Sequence, residues 1–341
     1  MPTFPLIVLP RPGTTTTTTP EPASSIPAPT EAAFTSTFGP VLPKASYLQT
    51  PAGQAAYYSI PPTTRTSPGA ASAGPARILF VHGVQTSAIG MAPLARALAA
   101  RFPAAHCVLF DHWGHGLSAT PVQPHAPALF HDLLLALLDY LYWPAAHFVG
   151  YSFGGATTVS FAASFPDRVE SMALVAPAGL LRAAQFTAQQ RAYLAGGDGD
   201  AAVEQRARDW ILGWLEGGPL VVPADWEARV ASGEVVAPKV RAWQVEEHPG
   251  HAASVVGIFR DGGVMDMHDV FREAASTGIP ARCVLGELDD LCTVRELRDL
   301  GFGDVHVVLG VGHGVVRERV PEVAGLIAGF WERGEGGGLG K

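Results

Sequence analysis

The stretch Gly150-Tyr151-Ser152-Phe153-Gly154 constrains this chain more than any other. Before it stands His147-Phe148-Val149, a short apolar run suited to a buried strand. After it, Ala156 to Phe165 is small and apolar enough to be a helix lying on a sheet. A G-x-S-x-G sequence between a strand and a helix is the signature of a nucleophile elbow, a sharp turn that holds its serine in strained backbone space with the hydroxyl clear of the sheet. Glycine is needed two residues to either side because a Cβ there would meet neighbouring backbone. At a helix N-terminus, Ser152 also has free N–H groups nearby that can stabilise a developing oxyanion. A Gly-Ser turn alone is commonplace; the strand before it and the helix after it favour the nucleophile.

The rest of the chain supports a large core. Of 341 residues, 48% are hydrophobic and 16% charged, which disfavours global disorder and leaves room for one α/β domain with an insertion. Net charge is -8, and no basic stripe is visible, so a nucleic-acid partner is not expected. Cys107, Cys283 and Cys292 are too few and too scattered for a disulfide framework or a zinc site. No run of 18 apolar residues is present, so no membrane span is expected, and the apolar run Phe4 to Leu9 lacks the basic flank and cleavage site of a secretory signal. A cytoplasmic location is the expectation. Residues 1–43 are rich in Pro and Thr, with six threonines from Thr14 to Thr19, and are expected to be a disordered leader.

From Ser46 the pattern changes. Two β-like runs around Pro51-Ala52-Gly53 predict a hairpin, and Pro61 to Pro75 reads as a linker. Strand-like and helix-like segments then alternate: Ile78 to Val81, Met91 to Phe102, Cys107 to Phe110, Ala128 to Tyr142, Phe148-Val149, the helix after the elbow, and Met172 to Val175. The alternation resumes at Arg282 to Leu285, Val305 to Leu309 and a helix from Pro321, ahead of a Gly-rich tail (334–341) expected to fray. Such alternation predicts a mostly parallel sheet covered by helices on both faces. Between 181 and 277 it stops. This stretch reads as several helices, one carrying Trp210, Ile211, Trp214 and Leu215 on one side, and is expected to be a cap over the carboxyl edge of the sheet, where open α/β sheets bind ligands. The expected core is therefore 44–180 with 278–333.

Four motifs in this order resemble those of the α/β-hydrolase superfamily, over roughly Ile78 to Trp331. His82-Gly83 follows the first parallel strand. Asp111-His112-Trp113-Gly114-His115-Gly116-Leu117-Ser118 is similar to the family's D-x-x-G-x-G-x-S turn. Gly150 to Gly154 matches the elbow, and Gly286-Glu287-Leu288-Asp289 and Gly312-His313 follow the last two strands. The order Ser152, Asp289, His313 matches the Ser…acid…His order of that fold. The resemblance implies an α/β-hydrolase fold with a helical cap, and a triad in which His313 takes the Ser152 proton and a buried carboxylate orients the imidazole. Asp289 fills the family's acid position, Asp290 is the nearest competitor, and Glu287 is a weaker one. The oxyanion hole is expected from the backbone N–H groups of Val84 and Phe153, with Val84, Gln85 and Phe153 against the substrate.

The resemblance implies a serine hydrolase acting on an ester, lactone or related acyl bond of a small substrate with an apolar part, without a cofactor. Carbon–carbon bond hydrolases, cofactor-free haloperoxidases and ligand-binding receptors share the fold and stay open as alternatives. Plainer readings exist as well. Asp289 could be a turn or capping residue before Thr293, and His313 a surface loop histidine. His112-x-x-His115 could hint at a metal, but no third ligand at suitable spacing accompanies it, so no metal site is expected.

Overall fold

The computed structural model describes residues 4–13, 24–64, 74–196 and 199–336. Eight strands form the central sheet: β1 (Ser46–Thr50), β2 (Gly53–Ile60), β3 (Arg77–Val81), β4 (His106–Phe110), β5 (Ala146–Tyr151), β6 (Val169–Val175), β7 (Ala281–Gly286) and β8 (Val305–Val308). Their spatial order is β8-β7-β6-β5-β3-β4-β2-β1. The hairpin β1–β2 is antiparallel and joins β4 antiparallel, while every pair from β4 to β8 is parallel.

Strand periodicity explains why the sheet is buried on both sides. Successive side chains of a strand point to opposite faces. Ile78 and Phe80 of β3 and Cys107 and Leu109 of β4 join one core, whereas Leu79, Val81, Val108 and Phe110 join the other. The first core is closed by Leu94 and Leu98 of the helix Ala92–Arg101 and by Val323 and Ile327 of the helix Val320–Gly336. The second is closed by the helices Pro127–Tyr140 and Phe153–Ser164. All three cysteines are free and buried, and burial raises the Cys107 thiol to about 12, so it packs as a small hydrophobe.

Two expected boundaries change. The segment 1–43 is not a disordered leader where it is described. Ser25–Ile26 pairs antiparallel with Thr120–Pro121, and the helix Glu31–Phe38 starts from Thr30, whose side chain accepts from the Ala33 N–H. Phe34 and Phe38 are buried against Trp243, with ring centroids 5.4 and 5.8 Å away. Leu9 is buried too, and the Arg11 guanidinium donates to Asp261 at 2.9 Å and to the Leu194 carbonyl at 2.8 Å. Composition disfavoured order here because the segment's few hydrophobes have no partners nearby in sequence. Those partners come from residues some 200 positions away. The run Thr14 to Thr19, most of the Pro61 to Pro75 linker and the last residues of the tail lie outside the described residues.

The insertion is helical, with helices at Ala188–Ala195, Ala201–Glu216, Trp226–Ala231, Ala237–Glu247 and His251–Asp261. Its neck closes earlier than 277. The Asp266 N–H donates to the Leu181 carbonyl and the Met267 N–H to the Gly179 carbonyl, both at 2.9 Å. The helix His268–Ser276 lies beyond this neck and packs on the helix Phe153–Ser164 through Phe271, so it belongs to the core. The cap thus ends near 265, because backbone pairing at the neck, invisible in a helical sequence pattern, marks where the chain rejoins the sheet. Among the described residues no helix is long and apolar enough to cross a membrane.

Cap and core meet on the turn that follows β4. His248 donates from Nε2 to the Ser118 carbonyl at 2.9 Å, His251 from Nδ1 to the Gly114 carbonyl at 2.8 Å, and Ser254 from Oγ to the Trp113 carbonyl at 2.8 Å. His112, His82, His115 and His251 follow one another in that order within this junction, edge-on or tilted to one another with ring centroids 4.5–5.4 Å apart. Burial holds them neutral. His82, His125 and His248 are lowered to about 4 and His251 to about 3, while His112 and His115 fall well below the ordinary histidine value. The pair His112 and His115 therefore flanks the His82 ring among buried neutral imidazoles, with His115 accepting from the Gln85 N–H at 3.2 Å.

A stability prediction follows from the sign of these shifts. Between about pH 4 and 6.5 the unfolded histidines bind protons that the folded ones do not, so stability rises with pH, each group contributing about 1.4 kcal/mol per pH unit. Asp111, raised by burial to about 6, acts in the opposite sense, but it is one group against several. The melting temperature is expected to fall markedly from pH 7.5 to pH 5. An equal value at both would show that the junction does not stay neutral.

Candidate active site

The site is built at the carboxyl ends of β3, β5, β7 and β8. Ser152 follows β5 directly, at φ 53° and ψ -119°, positive-φ strained space that no regular element supplies. The turn is tight because the helix must start against β3: a Cβ on Gly154 would lie 2.0 Å from the Val81 carbonyl oxygen. The Gly155 N–H donates to the Ser152 carbonyl, so the first intrahelical bonds form behind the serine while the N–H groups of Phe153 and Gly154 have no intrahelical acceptor.

His313 comes from the loop after β8 and Asp289 from the loop after β7. Ser152 Oγ lies 2.9 Å from His313 Nε2, and His313 Nδ1 lies 2.9 Å from Asp289 Oδ2. The two loops can approach because β7 ends in Gly286, where a Cβ would stand 2.3 Å from the Gly312 carbonyl oxygen. The Leu288 N–H donates to the Val311 carbonyl at 2.9 Å and stitches them together.

The geometry separates the three acid candidates. The Asp289 side chain is 1% exposed, and its other oxygen accepts from the Leu291 N–H at 3.2 Å. Glu287 is exposed and accepts from the Gly310 N–H at 2.8 Å, a loop brace. Asp290 is exposed at the lip of the cavity. Capping falls to Thr293, whose side chain accepts from the Glu296 N–H at 3.1 Å, so Asp289 is not spent on the helix start.

The loop carrying Val84 is held from below. The Ala88 N–H donates to Asp111 Oδ1 at 2.8 Å, while Asp111 Oδ2 accepts from the Tyr58 hydroxyl at 2.7 Å and the Leu117 N–H at 2.9 Å. His82 accepts at Nε2 from the His112 N–H at 2.8 Å, so its proton is on Nδ1, donated to the Gly83 carbonyl at 2.6 Å. Gln85, at φ 71°, is gripped through its carbonyl by Gln244 of the cap. Val84 lies between these fixed points.

Val84, Gln85 and Phe153 line a cavity of ≈ 440 Å³ that also exposes Ser152 and His313. The volume suits a small organic substrate. The cap covers it with Trp214, Leu215 and Phe259. Tyr151, Glu216, Arg241 and Arg317 also line the cavity, and none of them was singled out as a site residue from the sequence. Arg317 lies on the short helix Val315–Glu318 just after His313, a closeness in sequence that could have marked it; nothing local marks Arg241.

Comparison with known proteins agrees with this architecture. A family model described as alpha/beta hydrolase fold matches residues 76–210. The chain is 35% identical to 3-oxoadipate enol-lactonase 2 of Acinetobacter baylyi over 117 residues, 34% of this chain and 43% of that protein. It is 32% identical to a lipase of Mycobacterium tuberculosis over 161 residues, 47% of this chain and 59% of that protein. The matched stretches thus span about half the length of these curated relatives. Among solved structures, an enol-lactonase from Burkholderia xenovorans superposes with a TM-score of 0.59 at 19% identity, covering 84% of this chain and 99% of that one. A carboxylesterase from Bacillus subtilis gives 0.60 at 17% identity, covering 88% and 95%. The structure has the α/β-hydrolase fold.

Proposed function

We propose that the protein is a serine hydrolase that cleaves an ester, lactone or related acyl bond of a small, partly apolar substrate. The observation that carries this reading is the unbroken relay from Ser152 Oγ through His313 to the buried Asp289. The relatives named enol-lactonase, lipase and carboxylesterase point to the same class of bond.

In this reading Ser152 Oγ attacks the carbonyl carbon and its proton passes to His313 Nε2. Asp289 accepts the Nδ1–H, which fixes the productive tautomer and stabilises the imidazolium. The tetrahedral oxyanion is held by the N–H groups of Val84 and Phe153. Collapse breaks the bond to the leaving oxygen, which takes the proton from His313. Water then attacks the acyl-enzyme, giving one proton to His313, and a second collapse returns that proton to Ser152 and releases the acid. The chain's own side chains supply each proton transfer, and the reading invokes no cofactor.

A fluorophosphonate probe should label the protein, with the adduct on the peptide carrying Ser152. No labelling, together with no turnover across a panel of esters, lactones and thioesters, would overturn the reading.

A further inference from the structure

One wall of the cavity carries two guanidinium groups, and their charges are unevenly matched. Arg241 donates to Glu216 Oε2 at 2.7 Å, and Gln85 Nε2 donates to Glu216 Oε1 at 3.0 Å, so both oxygens of that carboxylate are engaged. The Arg241 and Glu216 side chains are only 17% and 10% exposed. Arg317 is different. It donates from Nη1 to the Tyr151 hydroxyl at 3.2 Å and lies over the Tyr151 ring, 6.0 Å from its centroid. Among the described residues it forms no ion pair.

A guanidinium cannot shed its proton and offers five N–H donors in a planar fork that fits a carboxylate. Arg317 also sits close enough to Arg241 to add to what burial does, lowering the Arg241 value. Two like charges therefore line one cavity, with one carboxylate committed to the first. Asp290 is exposed on the lip and forms no ion pair with either arginine. Trp214 and Phe259, with ring centroids 5.2 Å apart, and Val264 add apolar surface to the same cavity. A ligand that satisfies both kinds of surface is an apolar chain or ring ending in an anion.

We propose that the acid part of the substrate bears a second, free carboxylate, which Arg317 binds with Arg241 beside it, the apolar portion lying against Trp214 and Phe259. The proposal rests on the reading of Ser152 as nucleophile, and it names the substrate class of that same site. Arg317 acts here on ground-state binding, so its effect belongs mainly in KM.

The test pairs two activated esters of similar length, the p-nitrophenyl monoester of adipic acid and p-nitrophenyl heptanoate. The wild-type protein should favour the charged ester by about tenfold or more in kcat/KM, the scale of one charged hydrogen-bonded contact, and this preference should shrink as salt is added. Arg317→Gln should lose about tenfold more on the charged ester than on the neutral one, chiefly through KM, and Arg317→Lys should recover part of the preference. Melting curves on both variants confirm that the comparison is made on folded protein. Equal losses on both esters would overturn the proposal and leave Arg317 as a residue positioning Tyr151. Wild-type preference for the neutral ester, with Ser152 labelled by fluorophosphonate, would overturn the proposal while leaving the hydrolase reading standing. Failure of both esters with Ser152 unlabelled would remove the hydrolase reading, and the proposal with it.

Discussion

Ser152→Ala and His313→Ala are each expected to lower kcat between about 10⁴- and 10⁶-fold while leaving the melting temperature close to that of the parent. In the proposed mechanism the first removes the atom that carries the acyl group. The second removes both the base for attack and the acid for departure. Because the two act as one unit, the double variant should be little worse than either alone. Independent, multiplying losses would mean that the 2.9 Å contact between Oγ and Nε2 is not the working one. Among the acids, Asp289→Asn should cost about 10⁴-fold, since an amide at that position favours the wrong imidazole tautomer. Asp290→Asn and Glu287→Gln should each stay within about tenfold, because one is solvated at the cavity lip and the other braces a loop through Gly310. A large loss at Asp290 with little at Asp289 would reverse the assignment.

A chain beginning at Lys44 is expected to be less stable and altered in selectivity. It loses Phe34, Phe38 and Leu9, buried side chains worth about 1.5–3 kcal/mol each before the entropy of ordering the segment is set against them. It also exposes Trp243 of the cap and the edge along Thr120–Pro121. The net result should be a melting temperature lower by about 5–10 °C. Because the segment grips the cap at Asp261 as well as at Trp243, the truncated chain should discriminate less sharply between short and long acyl esters. Phe34→Ala in the full chain tests the packing alone and should cost about 3 kcal/mol. Unchanged melting in both variants would show that the segment merely rests on the domain.

What the sequence determined by itself was local. A strand of alternating apolar residues, a helix with a 3.6-residue apolar face and the Gly-x-Ser-x-Gly turn are each encoded within a dozen residues, because backbone sterics and periodicity act over that range. Hence the order of strands and helices, the hairpin, and the positions of Ser152 and His313 at strand ends were all legible. The tertiary structure decided everything that depends on which distant residues meet. Three carboxylates stand within four positions, and only burial and direction single out Asp289, 1% exposed and facing His313. The cap ends near 265 because backbone pairing of Leu181 with Asp266 and of Gly179 with Met267 closes its neck there. The N-terminal segment orders because Trp243 and Asp261 wait for Phe34 and Arg11. The charged wall of the cavity joins Gln85, Glu216, Arg241 and Arg317 from across 233 positions of sequence. No local rule encodes such meetings, since the free energy of burying a charge or a ring is set by the neighbours it finds in three dimensions.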